Sequence, residues 1–216
     1  MLAKNSIMNR QNIVLINELN GQKKFTILNR EEKTFVIFFI DIKDYNGRIL
    51  FDIQGSEAKI QVLGLIIAEE DQMINLFTLQ DHKKKKSISD LLIKSVLFGS
   101  SRLNFEGLVR IRKDAQQSNA YQKNQTFLMS HHAWANSRPK LEILANDIRC
   151  THGATIGKIN PEVLYYLKAR GISEESAKKI VIEGFFQEIL NRIPDQKIAD
   201  ELLKKIKQKI NNILLN

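Results

Sequence analysis

A single cysteine, Cys150, can close no internal disulfide and cannot alone supply a four-thiolate zinc or iron–sulfur site. Any metal or cluster held through thiolates would need cysteines from another chain. No stretch approaches the roughly 18 apolar residues of a membrane span. The greasiest run, Phe35 to Ile40, is cut off by Asp41, and Met1 to Arg10 carries Lys4, Asn5 and Asn9 in place of the apolar centre of a signal peptide. These absences point to a reducing, soluble compartment, cytoplasmic or, in a eukaryote, a plastid-type organelle. The sequon Asn124-Gln125-Thr126 would then be idle.

The common enzyme signatures are missing as well. There is no phosphate-binding loop of the Gly-x-x-x-x-Gly-Lys type, no Gly-x-Gly-x-x-Gly turn, no Gly-x-Ser-x-Gly elbow and no His-Glu-x-x-His helix. Nucleotide binding or hydrolysis by this chain is disfavoured, and so is membrane attachment. What is present is an ordinary globular composition over 216 residues, 43% hydrophobic and 26% charged, with a net charge of +9. Much of that charge lies in Lys83 to Lys86 and in Lys204, Lys205, Lys207 and Lys209. A solvated loop and the polar face of a helix account for both clusters. A nucleic-acid-binding protein is the competing reading, but no zinc finger, RNP pair or KH loop supports it.

Two periodicities divide the chain near residue 158. Before it, apolar residues recur at spacing two in short bursts, among them Ile49, Phe51 and Ile53, then Ile60 and Val62, then Leu103, Phe105 and Gly107. Spacing two is the mark of a strand with one buried face. Bursts starting near 49, 60, 73, 90, 103, 121 and 141 are joined by irregular corners, with few Asn-Gly hairpin turns. They fit either a closed barrel or sandwich, or the rungs of a solenoid. Ile13, Val14, Ile16 and Leu19 would cover the first rung.

After residue 158 the spacing becomes helical. Asn160 before Pro161 is a strong start signal, because Asn satisfies an orphan amide and Pro has none to satisfy; Gly171 ends that helix. Ser173, followed by Glu174 and Glu175, caps a second helix that Pro194 closes. Its apolar residues, Ala177, Ile180, Val181, Phe185 and Ile189 with Ile182, Phe186, Leu190 and Ile193 beside them, spread widely enough to face two neighbours. A third helix, from about Asp195 to Leu214, carries Ile198, Leu202, Ile206, Ile210 and Ile213 on one stripe. The organisation is therefore an all-β unit over 1–158 and a small helical unit over 159–216.

Cys150 and His152 stand two apart on a strand, on one face with Ile148. That face is either a core face or the start of a Cys/His ligand set, and completing the set needs His131, His132 or a second subunit. A Cys/His metal-dependent enzyme would require that convergence around an open coordination position. Direct nucleophile–base pairing is disfavoured, since side chains two apart on a strand sit about 6–7 Å from each other. Trp134 reads as an interface anchor or a core plug.

Ala120-Tyr121-Gln122-Lys123-Asn124, Pro139-Lys140-Leu141-Glu142-Ile143, Cys150-Thr151-His152-Gly153-Ala154-Thr155-Ile156-Gly157 and Leu164-Tyr165-Tyr166-Leu167-Lys168-Ala169-Arg170-Gly171-Ile172 together resemble the SufB/SufD family of the SUF iron–sulfur assembly machinery. The likeness is strong from about Leu91 to Leu190, reaching Ala177 and Phe185, and general from Ile27 to Gln80. It implies an all-β solenoid, a right-handed parallel β-helix, followed by a helical domain. It further implies a non-enzymatic scaffold that dimerises through the end of the β-helix, with itself or a SufB-like subunit, and binds the ATPase SufC through its helices. SufC, and not this chain, would hydrolyse ATP. The Cys-Thr-His-Gly-Ala-Thr stretch is closer to SufD than to SufB, whose pattern there is Glu-His-Glu-Ala. By that likeness His152, and after it Cys150, would contact an iron–sulfur cluster bound transiently at the subunit interface. Leu141, Ile143, Arg149 and Thr151 would lie in the dimer contact, expected to exceed about 1,000 Å². Glu183, Gln187 and the Pro194 turn are the candidates for the SufC contact. Family members usually carry an N-terminal helical region and a longer β-helix, so the chain reads as a short form.

Overall fold

The computed structural model describes residues 7–10, 12–17, 21–40, 42 and 44–215. Among the described residues twelve strands precede three helices: β1 (Ile7–Arg10), β2 (Ile13–Ile16), β3 (Gly21–Ile27), β4 (Glu32–Phe39), β5 (Tyr45–Ile53), β6 (Lys59–Ala68), β7 (Met73–His82), β8 (Ile88–Leu97), β9 (Arg102–Ile111), β10 (Ser118–Leu128), β11 (Trp134–Ile143), β12 (Ile148–Gly157), α1 (Pro161–Ala169), α2 (Glu174–Leu190) and α3 (Gln196–Leu215). Successive strands alternate between two sheets, ordered β1-β2-β4-β6-β8-β10-β12 and β11-β9-β7-β5-β3. Apart from the antiparallel β1–β2 pair, every pairing is parallel. The chain is thus a parallel β-solenoid, and each of the seven bursts read from the sequence is a strand. The strand β2 is itself the first rung, paired to β4, with Ile13, Val14 and Ile16 buried; Leu19 lies outside the described residues.

Inward side chains stack in columns. One runs Val14, Phe35, Val62, Leu91, Gln122, His152, and another runs Ile27, Ile53, His82, Ile111, Ile143. The phenyl rings of Phe25, Phe35 and Phe51 pack across the lumen, with Phe35 4.8 Å from each of the other two. At one corner Arg30, Glu57, Lys86 and Gln117 all adopt φ between 56° and 61°. Each donates its N–H to a carbonyl of the next coil, Ser56, Lys85, Gln116 and Asp147 in turn. None is glycine, so the left-handed turn is imposed by this stacking against local preference. At the same corner a Cβ on Gly55 would stand 2.1 Å from the Leu28 carbonyl carbon, and only glycine allows the coils to approach so closely.

Both faces of the seven-stranded sheet are covered from β2 to β8. Val36, Phe38, Leu63, Leu65, Ile67, Leu92 and Val96 point outward and pack against Ile182, Phe186, Ile189, Ile206 and Ile210 of α2 and α3. This explains the near-continuous apolar runs in β4 and β6, which strands buried on both faces require. Lys94 is almost wholly buried in this contact, where it donates to the Phe185 carbonyl at 2.7 Å and pairs with Glu188 at 2.6 Å. Strands give way to helices between Gly157 and Pro161, with Asn160 and Ser173 capping α1 and α2 as expected. Two details differ from the sequence reading. The helix α2 ends at Leu190, and Asn191 to Ile193 form a turn before Pro194. Ile180 is 49% exposed, because the helix buries only the side that meets the sheet and α3. No helix among the described residues is long and apolar enough to cross a membrane.

Candidate functional site

The last coil is the place where the solenoid stops. Strands β11 and β12 are the outermost members of their sheets, so each presents an unpaired backbone edge. Their inward side chains are Leu141 and Ile143 on β11, and Ile148, Cys150, His152, Ala154 and Ile156 on β12. These continue the core columns but, among the described residues, meet no further rung. Leu141 is 36% exposed, Ile143 40% and Ile156 42%, with Leu144 beside them at 56%. Ile148 and Cys150 remain half-buried against Val109, Ile111, Ala115, Ala120 and Ala145.

Cys150 is stacked on Ala120 and His152 on Gln122. Burial pushes the Cys150 thiol above its ordinary pKa, which favours the protonated form at neutral pH. His152 is exposed, and Gly153 beside it has nothing within 4 Å of where a Cβ would stand. The core-face reading therefore applies to Ile148 and Cys150 and fails for His152, whose face would be interior only with one more rung.

His131 and His132 do not join them. His131 instead lies 3.3 Å through Nδ1 from Lys158 Nζ, and among the described residues no group of three or more His, Cys, Asp and Glu side chains is placed to hold a metal. The other sequence candidates separate by face. Arg149 and Thr151 are exposed on the outward side of β12, opposite Cys150 and His152. Thr151 lines a trough of about 510 Å³ between the last rungs and α2 with Tyr121, Lys123, Glu188 and Arg192, and His152 also borders it. Arg192 is tied across it to Asp90. In the helical region, Glu183 pairs with Lys207 at 3.3 Å, Gln187 donates to Asn191 Oδ1 at 2.7 Å, and Pro194 is exposed.

Beneath the open coil the lumen turns polar, a feature that sequence reasoning missed. Thr78, Gln80, His82, Ser87, Ser89, Ser118, Gln122, Asn124 and Thr126 are all buried. His82 sits between two hydroxyls, Ser87 Oγ and Ser89 Oγ, each at 2.7 Å, and burial drives its pKa down to about 4 against a small opposing pull from Asp81. Gln122 donates across the lumen to the Gly107 carbonyl at 3.1 Å, a path open because a Cβ on Gly107 would lie 2.6 Å from that amide. Asn124 donates to Ser137 Oγ at 3.0 Å. The only signal in the sequence is negative: β10 has no apolar face.

Comparison with known proteins agrees with this architecture. Residues 40–185 match the SufBD core domain of SUF system FeS cluster assembly. The chain is 28% identical over 158 residues to the iron–sulfur cluster assembly protein SufD of Escherichia coli, covering 73% of this chain and 37% of that protein. It is 30% identical over 146 residues to SufD of Bacillus subtilis, covering 68% and 33%, and 36% identical over 112 residues to the chloroplastic protein ABCI7 of Arabidopsis thaliana, covering 52% and 24%. The chain thus spans roughly a quarter to a little over a third of the length of these relatives.

Proposed function

This chain belongs to the SufBD family of the SUF iron–sulfur assembly system, and from that premise we propose that it is a SufD-like, non-enzymatic scaffold subunit whose open last coil is completed by a second SufB- or SufD-type solenoid. The single observation that carries this reading is the uncovered core column. Leu141, Ile143 and Ile156 are built as interior side chains and stand in water around Cys150 and His152. A second solenoid seated edge to edge would pair both free strands, bury that surface and bring a partner's side chains to the same seam.

The cluster is the cargo of such a scaffold. One exposed imidazole and one half-buried thiol are too few donors to hold it, so the partner supplies the remainder and the chain releases its cargo readily. ATP hydrolysis belongs to a SufC-like partner docked on the helical region, with Glu183, Gln187 and the Pro194 turn as contact candidates. The half-buried, ion-paired Glu183 is the least available of the three. The SufD assignment rests on the Cys-Thr-His-Gly-Ala-Thr stretch.

The test is anaerobic co-expression with the SufB- and SufC-like proteins of the same cells, then purification and iron and sulfide analysis. A stable complex should form, and His152→Ala should lower its cluster content severalfold while leaving the complex intact. Equal cluster content in both would make the imidazole structural, and a chain that purifies alone would remove the scaffold assignment.

A further inference from the structure

Among the described residues no helix covers the outer face of the five-stranded sheet, and at its β9–β11 end lies a group of side chains that the scaffold reading leaves unused. Arg102 and Trp134 are register partners at the starts of β9 and β11, and both are exposed on the outer side of the sheet. The loop between β10 and β11 brings His131 and His132 beside them, and these four residues line a recess of about 480 Å³. The loop is tied down at Ser130, whose hydroxyl donates to the Gly99 carbonyl and accepts from the N–H groups of Ala133 at 3.0 Å and His132 at 3.2 Å. Lys158, in contact with His131, adds an ammonium to the rim.

The chemistry of this recess is one-sided. No carboxylate lines it, and among the described residues the Arg102 guanidinium makes no ion pair or hydrogen bond. A guanidinium fork, an ammonium and two imidazoles suit a phosphate, which accepts bidentate hydrogen bonds and tolerates several donors. Trp134 is 47% exposed and offers a flat stacking surface at the same place. Two residues along the same strands, Asn104 and Asn136 continue the face as part of a ladder Asn46, Asn75, Asn104, Asn136, in which Asn104 donates to Asn75 Oδ1 at 2.9 Å. Their amides border an adjoining recess of about 360 Å³ and can read the polar edge of a ring or a sugar.

We propose that this recess binds a phosphate ester bearing a flat heterocycle, a ligand of the mononucleotide class. The phosphate sits on Arg102, His132 and Lys158, the ring stacks on Trp134, and Asn136 and Asn104 meet its polar edge. The volume lies within the range of small-molecule sites. A nucleic-acid strand fits less well, because the track is interrupted farther along the face. Glu106 there is paired with Lys140 at 3.0 Å, and the Phe77 ring is already covered by Arg48 at 3.9 Å. Such binding is independent of cluster assembly and runs against the sequence-based expectation that the chain binds no nucleotide.

Trp134 is the only tryptophan in the chain, so its fluorescence reports on this recess alone. The full-length chain should be titrated with adenosine monophosphate, inorganic phosphate and adenosine, by fluorescence and by calorimetry. Adenosine monophosphate should quench saturably with a matching heat, phosphate should compete, and adenosine should bind at least about tenfold more weakly, the loss expected for a charge-assisted hydrogen-bond set. Arg102→Gln should cut the affinity for adenosine monophosphate by at least about tenfold with unchanged circular dichroism. Trp134→Ala, read by calorimetry, should weaken binding at least about fivefold. Absence of saturable heat up to millimolar nucleotide, or unchanged affinity in Arg102→Gln, would overturn the proposal. Displacement of the nucleotide by single-stranded RNA with affinity rising with oligomer length would overturn it in favour of a nucleic-acid surface.

Discussion

Ile53 and Ile143 occupy the same column of the solenoid, three coils apart, and differ in whether a further coil is stacked on them. Ile53 is fully buried between Ile27 and His82, whereas Ile143 stands on Ile111 with nothing above it and is 40% exposed. Strand geometry, alternation and side chain are alike. In a stacked fold, then, burial depends on having a neighbour on both sides, and a residue type alone cannot say whether a rung is internal or terminal. Internal coils carry stability, while in the proposed function the last coil carries surface for association.

The sharpest way to break this comparison is to remove a side chain from an internal rung. Phe51→Ala should destabilise the chain by about 3–5 kcal/mol in denaturant unfolding, because two packed rings lose their partner and the neighbouring coils prevent collapse. A cost near that of a surface substitution would mean the coils are not close-packed.

A second effect comes from His82, an internal residue in the column of Ile53. Its folded-state pKa of about 4 lies below its ordinary 6.5. Between those values the unfolded chain binds the extra proton, so stability falls as the pH drops from about 6.5 toward 4, by about 3 kcal/mol in all. Unfolding midpoints measured across that window should decline in the native chain and decline less in His82→Gln. Parallel curves for the two proteins would contradict the burial assigned to the ring.

In the last coil the same kind of change should act on assembly. Leu141→Glu should cost the isolated chain no more than about 1 kcal/mol, yet weaken association with the proposed partner solenoid by about 2 kcal/mol or more, measured by analytical ultracentrifugation. Smallest of all, His152→Ala should move the unfolding free energy by less than about 0.5 kcal/mol, since the ring is exposed. A large loss there would make His152 a core residue and dissolve the distinction between the internal coils and the last one.

The strands were legible because their inward residues are apolar at spacing two, as in Ile49, Phe51 and Ile53 or Leu103 and Phe105. The helix caps were legible because Asn160-Pro161 and Ser173 act locally. Other features were not. The corners of the solenoid rest on Arg30, Glu57, Lys86 and Gln117 in left-handed conformations, residues that announce no such turn. Their spacing grows from 27 to 29 to 31 residues, which hides the repeat. Pro139 does carry a hint of the terminal rung, since proline within a strand belongs at a sheet edge, and β11 is one. The recess at Trp134 gave no hint, because Arg102 is 29 residues from the nearest member of the group, His131.

Short-range physics in the sequence settled the element types, the change from strands to helices after Gly157, and the placing of Cys150 and Ile148 on a common strand face. Only the tertiary structure decided that this face is half-buried at Cys150 and open at His152. It alone placed His131 and His132 beside Arg102 and Trp134 and not beside the thiol. The reason is the stacking itself: neighbours in a parallel solenoid come from residues about thirty apart, and no local pattern records which coil is last.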